Sequence, residues 1–171
     1  SASSGSGSSS SGSSTTDTSN GTVVTSFSEL TAAVTKAEKA GGGIVYVKGS
    51  SISCTTQLAL KASNANVSII GVKNSDGTYP VLDFSSFRSA YIGKATTDSE
   101  VGIRISGSNY TIKNLIIQKA PDNGIQIKGS SAGNNTIENC IVRYNNDAGV
   151  QITGGAYSNM IRFVYSYRNC D

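Results

Sequence analysis

The sequence lacks histidine and tryptophan, and only 2 of its 171 residues are proline. Without histidine there is no Ser-His-Asp triad, no Cys-His pair and no histidine-ligated zinc site, so any base must be a carboxylate, Lys, Arg or Tyr. No apolar run approaches the roughly 20 residues that a transmembrane helix needs. The sequence therefore predicts no membrane contact and excludes the histidine-dependent hydrolases.

Charge is also scarce, because charged residues make up 15% of the chain and the net charge is +3. The basic residues form no run, so nucleic-acid binding has little support. Abundant Ser, Thr, Asn and Gly beside many Ile and Val are typical of an extracellular β protein. We predict a secreted, monomeric protein.

The three cysteines, Cys54, Cys140 and Cys170, have no close CxxC spacing, which argues against a zinc or redox motif. Cys140 lies in an apolar strand and is predicted to be a small core residue. Cys170 lies next to the end of the sequence. We assign no disulfide.

The chain divides by composition into two parts. Residues 1–20 are almost wholly Ser, Thr and Gly, which predicts a flexible linker to another module on the N-terminal side. Residues 21–171 then open with the features of a cap: a short strand at Val23 and Val24, a capping box from Ser26 to Glu29, and a helix through Lys39. Three glycines at 41–43 end this helix, and a strand follows over 44–48.

A repeated strand motif dominates the rest of the sequence. Gly-Ile-Arg-Ile-Ser-Gly at 102–107 recurs as Gly-Ile-Gln-Ile-Lys-Gly at 124–129 and as Gly-Val-Gln-Ile-Thr-Gly at 149–154. A second apolar element follows each copy and places Ile112, Ile137 and Ile161 at equivalent positions. Such a repeat buries its apolar face only by stacking on its neighbours.

The predicted fold is therefore an all-β, right-handed parallel β-helix with a short N-terminal capping helix. Like residues should lie above like, and Asn145 and Asn169 should begin an asparagine ladder. Since residues 167–171 lead into no closing coil, and solenoids need capped ends, we expect the β-helix to be truncated at its C-terminus.

Outward-facing residues form two predicted columns, one of Gln118, Arg143 and Tyr167 and one of Lys119, Tyr144 and Arg168. A cationic and aromatic groove would suit an anionic sugar polymer, and Lys119, Arg143 and Arg168 are the candidate substrate-binding residues. The alternative is an ordinary solvated face of a solenoid.

Two acidic residues precede successive repeats, Asp122 in Asp-Asn-Gly and Asp147 in Asp-Ala-Gly. Stacked carboxylates repel unless a cation lies between them, and such oxygen ligands suit Ca²⁺. Asp122 and Asp147 are therefore candidate metal ligands, although Asp-x-Gly is also ordinary turn chemistry.

Two segments carry a resemblance to a known family. Val-Thr-Ser-Phe-Ser-Glu-Leu-Thr-Ala-Ala-Val at 24–34 resembles the start of many extracellular pectate lyases. The stretch from Gly124 to the terminal Ser-Tyr-Arg-Asn-Cys-Asp at 166–171 resembles the middle of polysaccharide lyase family 9. The resemblance implies Ca²⁺-dependent β-elimination of polygalacturonate, in which Ca²⁺ held by aspartates acidifies the C5 proton and a lysine removes it.

In that family the calcium aspartates and the base lysine lie beyond the position of Asp171, so no catalytic residue is assigned here. We expect pectin or polygalacturonate as partner and Ca²⁺ as cofactor, its site lying outside this chain. Residues 1–171 alone are predicted to be inactive. The alternatives are a non-catalytic β-helix adhesin or polysaccharide-binding protein, and a polygalacturonase, which would need clustered acids.

Overall fold

The computed structural model describes residues 16–170. Most of the predicted linker, residues 1–15, lies outside that range. Two helices, α1 (Phe27–Lys39) and α2 (Ser85–Ser89), accompany fifteen short strands. In chain order the strands are β1 (Thr22–Val24), β2 (Gly43–Val47), β3 (Ser51–Ser53), β4 (Leu58–Leu60), β5 (Val67–Gly71), β6 (Val81–Asp83), β7 (Ile103–Ile105), β8 (Tyr110–Lys113), β9 (Ile116–Gln118), β10 (Ile125–Lys128), β11 (Thr136–Glu138), β12 (Ile141–Arg143), β13 (Val150–Thr153), β14 (Met160–Arg162) and β15 (Tyr165–Tyr167).

The strands form three parallel sheets that wind into a β-helix, as predicted. Sheet A has the order β1-β2-β5-β8-β11-β14, sheet B the order β15-β12-β9-β6-β3, and sheet C the order β13-β10-β7-β4. Each complete coil therefore has three strands. The apolar element predicted after each repeat is in fact two strands, since the chain turns a corner at Asn114 between β8 and β9.

The core is a set of apolar columns inside the three sheets. Ile137 pairs with Ile112 on one side and with Ile161 on the other, so the predicted column is confirmed. Ile112 and Ile137 are fully buried, whereas Ile161, in the last described coil, is 36% exposed. Burying one such side chain contributes about 1.5–3 kcal/mol to the free energy of unfolding. This contribution depends on the neighbouring coil, because that coil is what covers the side chain.

Helix α1 caps the first coils through a local and a tertiary contact. The predicted capping box is present: Ser26 Oγ accepts from Glu29 N, and Glu29 Oε2 accepts from Ser26 N. Leu30 and Val34 are buried against the first strands. Near the other end of the helix, Glu38 Oε1 accepts a hydrogen bond from the hydroxyl of Tyr110 at 2.5 Å, which ties the helix to β8.

The corners between the sheets are turned by residues in the left-handed backbone region. Asparagine tolerates this region better than other non-glycine residues. The A–B corner uses Asn114, Asn139 and Phe163, the C–A corner Asn109, Asn134 and Ser158, and the B–C corner Lys119, Tyr144 and Arg168. In these three coils, the B–C corner is the only corner whose left-handed position is never an asparagine.

Asparagine ladders stabilise two of the corners from inside. The predicted ladder is confirmed, because Asn169 Oδ1 accepts from both the backbone N–H and the Nδ2 of Asn145, at 3.1 and 2.9 Å. A second ladder at the C–A corner was not predicted. Asn135 is fully buried there, with Oδ1 accepting from Tyr110 N at 3.0 Å and Nδ2 donating to Gly107 O at 3.1 Å.

An irregular segment over residues 84–102 interrupts the stack between β6 and β7, and it includes α2. It has neither the strand period nor a long helical period, so the sequence predicted no structure for it. Phe84 and Phe87 anchor its first turn in the core, with 0% and 8% exposure. The remainder crosses from sheet B to the outer face of sheet C.

Replacing Asn135 with alanine should lower the free energy of unfolding by roughly 2–4 kcal/mol, because two buried backbone groups lose their partners at about 1–3 kcal/mol each. Urea unfolding followed by circular dichroism measures this change. Ser131→Ala, an exposed position in the preceding turn, is the control and should change the stability by about 0.5 kcal/mol or less. Equal effects of the two substitutions would contradict a role for the ladder.

Candidate functional site

The outer face of sheet C carries a column of polar side chains. Arg104 on β7, Gln126 on β10 and Gln151 on β13 are paired in register. Their neighbours along each strand point inward, because side chains alternate between the two faces of a strand. The Nε2 of Gln126 donates to Gln151 Oε1 at 2.7 Å, so these amides join consecutive coils.

Asp98, in the irregular segment, is bound to this face. Its carboxylate lies 2.5 Å from Lys128 Nζ and 3.3 Å from Arg104 Nη1, and it accepts from Gln126 Nε2 at 3.2 Å. The hydrogen bond from Lys128 is the main reason that the pKa of Asp98 is lowered, and the charge of Arg104 adds to it. Two cations therefore share the one carboxylate of Asp98.

A polar groove of about 320 Å³ runs over this face, and we call it the sheet C groove. It contains two buried amide oxygens that have no hydrogen-bond partner among the described residues, Asn123 Oδ1 and Gln126 Oε1. Both side chains are only 3% exposed. Buried polar atoms normally have a hydrogen-bond partner, and these two oxygens have none among the described residues. The groove is lined by Thr96, Thr97, Asp98, Asp122, Asn123, Gln126, Lys128, Asp147, Gln151 and Thr153.

Both candidate metal ligands, Asp122 and Asp147, line the sheet C groove. Oδ1 of Asp122 accepts from the backbone N–H and from Nδ2 of Asn123, at 2.8 and 2.9 Å, which is the turn role considered from sequence. Within residues 16–170 no three His, Cys, Asp or Glu side chains are grouped so that they could hold a metal ion. Ca²⁺ takes 6–8 oxygen ligands, so two carboxylates do not make a calcium centre. Their role in binding metal stays a prediction.

Gly124 gives the Asp-Asn-Gly turn its close approach to the next coil. A Cβ atom there would lie 2.5 Å from Asn145 Nδ2 and 2.8 Å from the carbonyl oxygen of Gly149. Such distances are far below normal contact, so a larger residue would push Asp122 and Asn123 out of place. The glycine of each repeat is thus required by stacking.

The three candidate substrate-binding residues lie together on a different surface, at the end of sheet B. Gln118, Arg143 and Tyr167 pair in register, which confirms that predicted column. Arg143 Nε donates to Gln118 Oε1 at 2.9 Å, and its Nη1 donates to Tyr167 OH at 3.0 Å. Arg168 Nη1 donates to Tyr144 OH at 2.8 Å.

Lys119 has an acidic partner on this surface, because its Nζ lies 3.2 Å from Asp83 Oδ2. Burial alone would raise the pKa of Asp83, but hydrogen bonds from Ser85, Gln118 and Lys119 outweigh it and the pKa is lowered. The carboxylate therefore stays ionised beside Lys119. The five predicted site residues are thus divided between two surfaces, the acids in the sheet C groove and the cations at the B–C corner.

Sequence reasoning missed Asp98, Arg104, Asn123 and Gln126 on the sheet C face. Asp98 lies in the irregular segment, where no repeat indicates its position. Gln126 had a usable signal, because a polar residue holds the same place in all three copies of the repeated strand and is glutamine in two.

The two buried cysteines do not provide a nucleophile. Burial raises the pKa of Cys54 to about 12 and that of Cys140 to about 11. Both thiols stay protonated at neutral pH and pack as core residues, as predicted for Cys140. Among residues 16–170 no helix is long and apolar enough to cross a membrane.

The structure is that of a parallel β-helix with a polar groove along the outer face of one sheet. The chain belongs to the family of Pel9A-like right-handed β-helix proteins, whose model matches residues 11–171. This match also confirms the predicted hand of the helix and the resemblance to pectate lyases.

Two relatives show how far the likeness extends. Pectate lyase L of Paenibacillus polymyxa (strain SC2) is 30% identical over 104 residues, which is 60% of this chain and 21% of the relative. The crystal structure of pectate lyase Pel9A superposes with a TM-score of 0.60 at 22% identity, over 84% of this chain and 34% of that one. The chain therefore spans about a fifth and a third of these two proteins.

Asp98→Asn should loosen the irregular segment without unfolding the β-helix, because Lys128 and Arg104 lose their shared carboxylate. We expect faster tryptic cleavage after the exposed Lys94. Asp76→Asn is the matched control: Asp76 is also held by local hydrogen bonds, but in a separate turn. The prediction is wrong if both variants, or neither, are cleaved faster after Lys94.

Acid should have the same effect as this substitution. The pKa of Asp98 is lowered in the folded protein, so its stabilising contribution is complete above about pH 4 and is lost as the pH falls through the folded value. Hydrogen exchange of the amides of residues 91–97, corrected for intrinsic rate, should accelerate in that window. In the Asp98→Asn variant, the exchange of these amides should no longer accelerate as the pH falls.

Proposed function

We propose that the whole protein to which this chain belongs is a secreted polysaccharide lyase that cleaves polygalacturonate. The observation that carries the proposal is the sheet C groove on a β-helix of the Pel9A-like family. Both relatives reported above are pectate lyases by name. An extracellular location is part of the proposal, because pectin is a polymer of plant cell walls.

The groove has the chemistry that a polyuronate requires. Arg104 and Lys128, which share the carboxylate of Asp98, provide positive charge that can contact sugar carboxylates. Asp122 and Asp147 add negative charge to the same groove. Gln126 and Asn123 add amide groups to the lining of the groove. Arg104, Gln126 and Gln151 lie one coil apart along the helix axis, so the groove suits a linear chain that runs across the coils.

Calcium dependence is also part of the proposal, but no complete calcium site is formed by the described residues. Asp122 and Asp147 offer two carboxylates where Ca²⁺ needs 6–8 oxygen atoms, so no step of the reaction is assigned to them. Lys128 is not proposed as the base. It is an ion-pair partner of Asp98, 2.5 Å away.

The test is an assay of the complete gene product that contains residues 1–171, with polygalacturonate and Ca²⁺. We expect an ultraviolet-absorbing unsaturated product that a calcium chelator abolishes. New reducing ends without that absorbance would indicate a polygalacturonase instead. Binding of pectin without any cleavage would indicate an adhesin or binding protein.

Residues 1–171 alone should give no unsaturated product, because the described residues hold no complete metal site. The same assay checks this, with the complete gene product as the positive control. Robust Ca²⁺-dependent turnover by residues 1–171 would show that the chain contains a working site and would overturn this expectation.

A further inference from the structure

The B–C corner and the start of the irregular segment together form a surface that the sheet C groove does not include. We call it the cationic corner. Its members share a positive charge or a phenol ring, and they are Arg88, Lys94, Lys119, Arg143 and Arg168 with Tyr91, Tyr144 and Tyr167. Arg88 joins its two halves, because Nη1 donates to the carbonyl oxygen of Tyr144 at 3.0 Å and Nη2 to Asn146 Oδ1 at 2.7 Å.

The charge of this surface is largely uncompensated. Lys119 pairs with Asp83, whereas Arg88, Lys94, Arg143 and Arg168 make no ion pair within residues 16–170. Their hydrogen-bond partners are neutral oxygen atoms. Each guanidinium has five N–H donors, so donors remain for an external carboxylate.

Aromatic rings lie among these cations. The guanidinium carbons of Arg143 and Arg168 lie 5.5 and 5.7 Å from the ring centroid of Tyr144. Tyr167 meets the same ring edge to face at 6.1 Å. A phenol ring can pack against the C–H face of a sugar while the neighbouring arginines bind its carboxylate, so the combination suits an acidic sugar.

The backbone of this corner is a second, independent observation. The left-handed backbone region is occupied here by Lys119, Tyr144 and Arg168, with φ of 59°, 58° and 53°. This conformation costs lysine, tyrosine or arginine more energy than it costs asparagine. The A–B corner uses asparagine at this position in two of its three coils, with Phe163 as the exception. The B–C corner therefore keeps cationic and phenolic side chains at a position where asparagine would be less costly.

A pocket of about 310 Å³ adjoins the column and extends the surface. Arg88, Tyr91, Lys94, Pro121 and Asn146 are among the residues that line it. Pro121 and Asn146 lie two residues after Lys119 and Tyr144, so the pocket is continuous with the corner. Coils repeat at about 4.8 Å, which is close to the length of one sugar in a linear chain, so successive coils can contact successive sugars.

We infer that the cationic corner is a docking surface for a polyuronate chain, separate from the sheet C groove. The inference rests on the proposed function for its substrate class and goes beyond it, since the surface holds polymer without cleaving it. Charge complementarity identifies the occupant as an anionic polymer. The phenol rings of Tyr144 and Tyr167 suit a sugar acid better than a DNA duplex, because a pyranose offers an apolar C–H face and a duplex keeps its base faces stacked inside.

The test is binding of residues 1–171 to immobilised polygalacturonate at low salt, with a calcium chelator present. The double variant Arg88→Gln/Arg168→Gln should bind roughly three- to tenfold more weakly, as expected for the loss of two exposed charge pairs. Lys48→Gln/Lys61→Gln removes the same charge from exposed positions elsewhere and should bind within about twofold of the unmodified chain. Equal weakening by both pairs, or by neither, would overturn the inference.

A second variant separates binding from folding. Tyr144→Asn removes the ring and places the favoured residue in the left-handed position, so polygalacturonate binding should fall while the urea midpoint stays the same or rises. A lower midpoint with unchanged binding would show that Tyr144 has only a structural role and would contradict the proposal.

The choice of polymer and the link to the proposed lyase are tested in parallel. Double-stranded DNA that binds as tightly as polygalacturonate would overturn the assignment to a sugar acid. Because no cleavage is measured under chelation, an inactive gene product with intact corner-dependent binding would refute the lyase alone. An active enzyme without corner-dependent binding would refute the docking surface alone.

Discussion

Parallel pairing in register between successive coils is the constraint on which the rest of this structure depends. A single coil of three short strands cannot bury its own apolar face, so Ile137 is buried only because Ile112 and Ile161 lie on either side of it. The same stacking fixes the corners. Asn135 and Asn145 are satisfied by asparagines of the next coil, and Gly124 leaves no room for a side chain.

The register that aligns the core also aligns the outside. Gln126 lies above Gln151 because the isoleucines and valine beside them must stack, and Arg143 lies between Gln118 and Tyr167 for the same reason. A solenoid thus converts a repeat in sequence into straight columns of functional groups. Columns at the spacing of the coils are suited to a linear polymer, which is the kind of ligand that we propose for both surfaces of this chain.

The repeat allowed much of the fold to be predicted, and the site much less. The helix over Phe27–Lys39, the Ile column and the Asn145 ladder are regular features and were predicted. Asp98 was not, because its position depends on how an irregular segment crosses the coils and not on any period. The predicted cations and acids were real surface residues, but sequence could not show that a corner separates them.

The sequence by itself determined the class of fold, since its period, its glycines and its alternating apolar residues are local properties that hold in every coil. Only the tertiary structure decided which polar residues meet. Arg88 reaches the Tyr144 carbonyl from 56 positions away, and Asp98 reaches Lys128 from 30. Such contacts join a segment without a repeat to the repeating coils, and their geometry exists only once the coils are stacked.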